Sequence, residues 1–262
     1  MAETFSKPRK RFGQHFLHDR HVIDRIIQAI QPQTDDQLIE IGPGRGALTL
    51  PLLAQVGQLD IVEIDRDLVQ WWQEKSLSNL SIHAGDALKL DYCALQREPA
   101  RKLRVIGNLP YNISTPLLFH LFENLQCIQD MHFMLQKEVV DRMCAAAGEP
   151  AYGRLSVMVQ FYCEVTQLFD VGAGAFTPPP KVESSIVRLI PHAADKYSVN
   201  PQQLQRIVSQ AFSQRRKTLR NSLKHYFSSE QLEALGVDPG IRPERLGLAT
   251  FIKLAQHAAL DI

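Results

Sequence analysis

Gln37-Leu38-Ile39-Glu40-Ile41-Gly42-Pro43-Gly44-Arg45-Gly46 is the stretch on which the fold turns. Its first five residues form a mostly apolar run, too short for a helix and suited to a strand buried on both faces. A glycine-rich turn follows at once, and then helical spacing from Ala47 to about Gln55. Strand, glycine turn and helix in that order open a doubly wound α/β sheet. The glycines let the main chain approach a ligand, and the N-terminus of the helix lies against it. The reading predicts a nucleotide-like ligand at the carboxyl end of this first strand.

Downstream residues fit the same plan. Leu59–Ile64 reads as a second strand and presents Glu63, placed to take both ribose hydroxyls through one carboxylate. A carboxylate inside Ile61-Val62-Glu63-Ile64 is better explained as part of a site than as surface charge. Leu80–His83 reads as a third strand, and Asp86 just beyond it suits the exocyclic amine of an adenine or, equally, a helix cap. Two motifs compete for the glycine turn. Gly42, Gly44 and Gly46 match the Glu/Asp-x-Gly-x-Gly-x-Gly pattern of S-adenosylmethionine enzymes, while Gly42, Gly44 and Ala47 satisfy the dinucleotide pattern G-x-G-x-x-G/A. An NAD-dependent oxidoreductase therefore stays open at this point.

The fourth strand ends in Asn108-Leu109-Pro110-Tyr111. Open α/β sheets bind ligands at the carboxyl ends of their strands, so an amide, a carbonyl held rigid before Pro110 and an aromatic face arrive together at the ligand. Asn108 Oδ1 and the Leu109 carbonyl can each accept a hydrogen from an exocyclic NH2 while Tyr111 stacks on its ring. Accepting both hydrogens localises the nitrogen lone pair and makes it nucleophilic. The tetrapeptide resembles the Asn-(Asp/Asn/Ser)-Pro-Pro-Tyr and Asn-Leu/Ile-Pro-Tyr signatures of amino-group methyltransferases. A tight turn with a buried tyrosine would explain the same four residues.

Bulk properties narrow the classes. The chain has 262 residues, 45% hydrophobic and 22% charged, enough for one large domain and a smaller appendage. No apolar run reaches membrane-spanning length, and the basic, polar N-terminus lacks the apolar core of a secretory signal. Cys93, Cys127, Cys144 and Cys163 are widely spaced, which predicts buried reduced thiols in a cytosolic protein and no metal site. The net charge of +1 conceals an asymmetry: +3 over residues 1–25, −7 over 26–180 and +5 over 181–262. An acidic middle between basic ends predicts a catalytic body flanked by surfaces that face a polyanion.

Both ends carry candidate contacts for that polyanion. Residues 1–18 read as an arm in which Lys10 and Arg11 attract phosphate and the following Phe12–Leu17 folds over a pocket. Arg215, Arg216, Lys217, Arg220 and Lys224 form the densest basic cluster; at helical spacing Arg216, Arg220 and Lys224 would share a face along a groove. Between the ends, Phe176-Thr177-Pro178-Pro179-Pro180 makes a stiff loop that could hold Phe176 as a stacking platform opposite Tyr111. A rigid connector with Phe176 in the core is the competing reading. Asp19 is expected to cap a helix ending near Pro32, and the pattern beyond Asn200 is helical only.

In this order, Arg11–Leu17, Glu40–Gly46, Glu63, Asp86, Asn108–Tyr111, Phe176–Ser184, Arg215–Leu223 and Pro243–Leu246 resemble the KsgA-type ribosomal RNA adenine dimethyltransferase family. The resemblance implies a Rossmann-like S-adenosylmethionine-dependent methyltransferase sheet of seven strands, the last antiparallel, with a small all-α C-terminal domain. It implies an arm at 1–18, a methyltransferase domain at 19–195 and an RNA-binding domain at 196–262. The implied reaction dimethylates the N6 amines of two adjacent adenosines in a hairpin loop near the 3′ end of small-subunit rRNA. The implied partner is a small ribosomal subunit still in assembly, and the implied product is S-adenosylhomocysteine; a monomer is the default expectation. The cofactor residues carried over are His15, Leu17, Gly42, Gly44, Glu63, Asp86 and Asn108; many relatives have Asn at the position of His15. The catalytic set is Asn108, Leu109, Tyr111 and Phe176. A large-subunit rRNA adenine methyltransferase of the antibiotic-resistance type is the nearest alternative.

Overall fold

The strand order β4-β3-β2-β5-β6-β9-β7 defines the architecture of the computed structural model, which describes residues 14–214 and 216–258. In chain order these strands are β2 (Gln37–Ile41), β3 (Leu59–Glu63), β4 (Leu80–Ala84), β5 (Leu103–Asn108), β6 (Ile128–Gln136), β7 (Cys163–Val171) and β9 (Ser184–Pro191). From β4 to β6 every neighbouring pair is parallel, and β9 pairs antiparallel with β6. The seven-stranded sheet with its last strand antiparallel is thus as expected. All five residues of β2 and of β3 are buried, which is why parallel strands read as continuous apolar runs rather than alternating ones.

β2 pairs with β3 on one side and β5 on the other, so the strand order reverses at β2. Such a switch point leaves a crevice at the carboxyl ends of the strands, here between Gly42 and Asn108. Gly107 allows the close approach: a Cβ there would lie 2.6 Å from the Ile41 carbonyl oxygen.

Helices fill the connections. α1 (Arg20–Ile30) begins at Asp19, whose side chain accepts from Val22 N as expected, and buries Ile26, Ile27 and Ile30. α2 (Thr49–Leu53) is shorter than the run from Ala47 to Gln55 suggested, because a turn occupies its start. α3 (Arg66–Glu74) starts at Asp65 and buries Trp72 completely. α4 (Ser114–Phe122) follows Tyr111 directly, and the Ser114 hydroxyl donates to the Tyr111 carbonyl rather than capping the helix. A separate two-stranded sheet joins β1 (Phe16–Leu17) to β8 (Phe176–Thr177), pairing Phe16 with Thr177 and Leu17 with Phe176.

Chain contacts separate two units. One holds the residues up to Val140 with Thr166–Pro191; the other holds Asp141–Val165 with the residues from His192 on. The division expected at 195/196 follows chain order, whereas the second unit also takes in 141–165. α5 (Lys137–Cys144) crosses the boundary, and α6 (Arg154–Tyr162) lies wholly in the second unit. There α7 (Pro201–Ala211) packs on α6 and α10 (Leu248–His257), burying Leu204, Ile207, Phe251 and Leu254. α8 (Leu219–Ser222) and α9 (Ser229–Ala234) complete it. Pro243–Arg245 forms a 3-10 turn, one short step before α10.

Two expectations are corrected here. Cys93 and Cys127 form a disulfide with Cα atoms 5.5 Å apart, and Cys144 and Cys163 lie outside it. Distant spacing in sequence hid the fact that the 3-10 turns Cys93–Leu95, ahead of β5, and Leu125–Cys127, ahead of β6, meet. Arg216, Arg220 and Lys224 do not share a helix face, because α8 spans only four residues and includes just Arg220. Among the described residues no helix is long and apolar enough to cross a membrane.

Candidate functional site

A cleft of about 240 Å³ opens at the carboxyl ends of β2, β3 and β5. Its floor is the glycine turn. Gly42, Gly44 and Gly46 have φ of 69°, 53° and 85°, the left-handed region where a side chain is strained. Space is as demanding as conformation at Gly46, where a Cβ would come within 2.8 Å of the Trp72 ring. Trp72 also donates from Nε1 to the Gly44 carbonyl at 3.1 Å. This tryptophan therefore holds the turn in shape.

Two carboxylates face the turn. Glu63 is 6% exposed, and its Oε1 accepts from Ile64 N and Asp65 N, both at 2.9 Å. Burial raises its pKa, while these main-chain donors and that of Gly44 hold the rise back. Glu40 lies deeper, 2% exposed, and burial pushes its pKa up to about 7 against the nearby Thr49 hydroxyl, with the Glu63 charge a smaller upward contribution. Neither Glu40 Oε2 nor Thr49 Oγ1 has a hydrogen-bond partner. Sequence reasoning gave Glu40 no role beyond its place in a motif; a charged residue in mid-strand among apolar neighbours was the available signal. Asp86 lines the cleft, and its Oδ1 accepts from Leu88 N at 3.0 Å; a turn follows it, not the helix that a cap would start. Among the described residues, no group of three or more His, Cys, Asp or Glu side chains could hold a metal ion.

Residues 14–17 run along the cleft and are tied down on several sides. Gln14 Nε2 donates to Asp65 Oδ2 at 3.3 Å, and the Arg45 guanidinium lies 4.5 Å over the Phe16 ring. His15 Nδ1 meets the Pro178 carbonyl at 2.7 Å, so Nδ1 carries the proton. Its ring stacks on Tyr111, centroids 5.9 Å apart and planes at 26°. Leu17 is buried and anchors the segment in the core, opposite Phe176.

The Asn108–Tyr111 turn closes the cleft. Asn108 Nδ2 donates to the His15 carbonyl at 3.1 Å, which leaves Oδ1 as the acceptor. Leu109 N donates to the Met134 carbonyl at 3.2 Å, tying down the residue whose own carbonyl precedes Pro110. Tyr111 shares a hydrogen bond of 2.7 Å with Ser184 Oγ, and burial raises its pKa, so its hydroxyl stays protonated near neutrality. An acceptor pair beside an aromatic face, next to a cleft with a ribose-competent carboxylate, can bind an adenosine cofactor and present an amine to it.

The structure brings together His15, Leu17, Gly42, Gly44, Glu63, Asp86, Asn108, Leu109 and Tyr111. It does not bring Phe176 with them. That side chain is 2% exposed in the core, so it offers no face to a base; its pairing with Leu17, 159 positions earlier, decided this. Of the basic residues, Arg216, Lys217, Arg220 and Lys224 are exposed, whereas Lys10, Arg11 and Arg215 lie outside the described residues.

Comparison with known proteins gives a consistent result. The family model described as Ribosomal RNA adenine dimethylase matches residues 5–259. A Pseudomonas fluorescens protein named Ribosomal RNA small subunit methyltransferase A is 56% identical, over 99% of this chain and 97% of its own length. Its Pseudomonas aeruginosa namesake is 54% identical over 99% and 98%. Among solved structures, a dimethyladenosine transferase from Plasmodium falciparum superposes with a TM-score of 0.78 at 28% identity, covering 93% of this chain and 99% of the other. The 23S rRNA methyltransferase ErmE superposes with a TM-score of 0.71 at 25% identity, covering 92% and 98%.

Proposed function

The chain belongs to the ribosomal RNA adenine dimethylase family, and on that premise we propose that it methylates the N6 amines of two adjacent adenosines in the 3′-terminal hairpin loop of small-subunit rRNA. The methyl donor in this reading is S-adenosylmethionine, held by the glycine turn, Glu63 and Asp86, with His15 and Leu17 above it. The partner is an assembling small subunit, met through the residues from 196 on and Arg216, Lys217, Arg220 and Lys224. Full-length identity above 50% to proteins named for the small subunit favours it over a large-subunit target. An oxidoreductase would leave Asn108–Tyr111 without a task.

The observation that carries the proposal is the oriented amide of Asn108. Because Nδ2 is committed to the His15 carbonyl, Oδ1 faces the reaction as an acceptor, and the Leu109 carbonyl is a second one. Together they hold both hydrogens of an incoming amine, localise its lone pair and aim it. The bound cofactor supplies a methyl group activated on a sulfonium. Tyr111 holds the plane of the base through its ring; its neutral hydroxyl is not a base. No base is required, since the nitrogen becomes acidic on methylation and its proton leaves to solvent. Positioning and exclusion of water account for the rate.

The test is methyl transfer from labelled S-adenosylmethionine to small subunits lacking the modification, with naked rRNA as control and mass analysis of nucleosides. Dimethyladenosine on the particles is the expected result. Cofactor binding without transfer would refute the substrate, and absence of cofactor binding would refute the reading of Gly42–Gly46.

A further inference from the structure

Ser184 is fully buried, and the side-chain partner of its hydroxyl is Tyr111, whose own hydroxyl lies 2.7 Å away. We infer that Ser184 is a positioning residue for methyl transfer, fixing the Tyr111 ring by its far end so that the face that meets the target adenine is set before RNA arrives. The inference rests on the reaction proposed above.

The serine sits where a hydroxyl cannot drift. It opens β9 and stands opposite Gln136 of β6, and the Glu183 carbonyl before it accepts from Lys137 N at 2.9 Å. At the other end, Tyr111 lies in a turn closed by Ile113 N to the Pro110 carbonyl and by Ser114 Oγ to the Tyr111 carbonyl, both at 3.1 Å. With its main chain held there and its hydroxyl held by Ser184, the long axis of the ring is fixed, and only rotation about that axis is left for a stacked ring to block. His15 stacks on it. Pre-setting an aromatic plane lowers the ordering needed in the transition state, and a misplacement of about 1 Å can cost a hundredfold in rate. The arrangement also explains why a tyrosine stands here: its hydroxyl is an anchor spent on Ser184, and the ring alone meets the substrate.

The experiment compares wild type, Ser184→Ala, Ser184→Thr, Tyr111→Phe and the Ser184→Ala/Tyr111→Phe double variant on unmodified small subunits. Ser184→Ala and Tyr111→Phe should each lower kcat by roughly 10- to 100-fold, with KM for the methyl donor unchanged. The double variant should be no slower than either single one, and Ser184→Thr should recover most of the rate. Binding of S-adenosylhomocysteine and thermal melting monitor the fold; should Ser184→Ala not fold, Tyr111→Phe and Ser184→Thr decide. Wild-type kcat in Ser184→Ala or Tyr111→Phe, or multiplied losses in the double variant, would overturn the inference while leaving the reaction intact. A wild-type enzyme that transfers nothing would overturn the reaction itself, and the inference with it.

Discussion

Asn108 and His15 are separated by 93 positions in the chain and joined by one hydrogen bond, amide Nδ2 to main-chain carbonyl at 3.1 Å. That bond selects one of two orientations for a side chain whose two ends have opposite hydrogen-bonding character. Reversed, the amide would present a donor to an amine and repel it. Asn108→Ala should therefore lower kcat by about 100-fold or more, the scale seen when a single positioned transition-state contact is removed. Its affinity for RNA should stay close to wild type. Single-turnover kinetics beside filter binding will tell; lost affinity with intact turnover would count against the acceptor role.

Glu63→Gln is the cleaner probe of cofactor binding than truncation to alanine. The amide oxygen can still accept from Ile64 N and Asp65 N, so the strand end survives, while the charge is lost. Charge-assisted hydrogen bonds contribute about 1.5–3 kcal/mol, so affinity for S-adenosylhomocysteine should fall by roughly 10- to 100-fold. Unchanged affinity by calorimetry would remove Glu63 from the cofactor site.

Glu40 makes stability depend on pH in an unusual direction. Folded, it keeps its proton up to about pH 7, against an ordinary value of 4.5. Between those limits the folded protein binds more protons than the unfolded chain, so this group costs stability as pH rises through the window. Glu40→Gln should melt progressively higher than wild type from pH 4.5 upward, the gain reaching about 3 kcal/mol above pH 7. A gain independent of pH would show that Glu40 titrates normally.

Gly107→Ala tests the crevice itself. The new methyl would meet the Ile41 carbonyl oxygen at 2.6 Å and Leu109 Cδ2 at 3.0 Å, so β2 and β5 must move apart. Overpacking of this kind typically costs about 1–3 kcal/mol. Thermal melting should register that loss, and cofactor affinity should fall with it because Gly42 and Asn108 sit on the displaced strand ends. A variant as stable as wild type would contradict the close approach.

Neutralising Arg216, Lys217, Arg220 and Lys224 should weaken RNA binding and flatten its dependence on salt, by about one unit of slope for each lost phosphate contact. These residues are exposed on turns and one short helix rather than along a single helical face. Each should then contribute separately, and single substitutions should add. An unaltered slope would return the cluster to ordinary surface.

Local chemistry was legible in the amino-acid sequence wherever neighbours along the chain decide the outcome. Buried parallel strands had to be short apolar runs; the turn after β2 had to be glycine to take positive φ; Asp19 had to cap α1 because a helix start leaves main-chain donors to satisfy. Three kinds of group crowding into four residues at a strand end made Asn108, Leu109 and Tyr111 candidates, and all three line the cleft. What only the tertiary structure decided are the meetings of distant positions, which leave no periodic trace. Leu17 opposite Phe176 puts that ring in the core, Trp72 holds Gly44, Cys93 joins Cys127, the His15 carbonyl turns the Asn108 amide, and Ser184 pins Tyr111. Pattern along a chain records which face a residue shows, but a hydrogen bond between residues 15 and 108 exists only once the sheet has brought both to the same crevice.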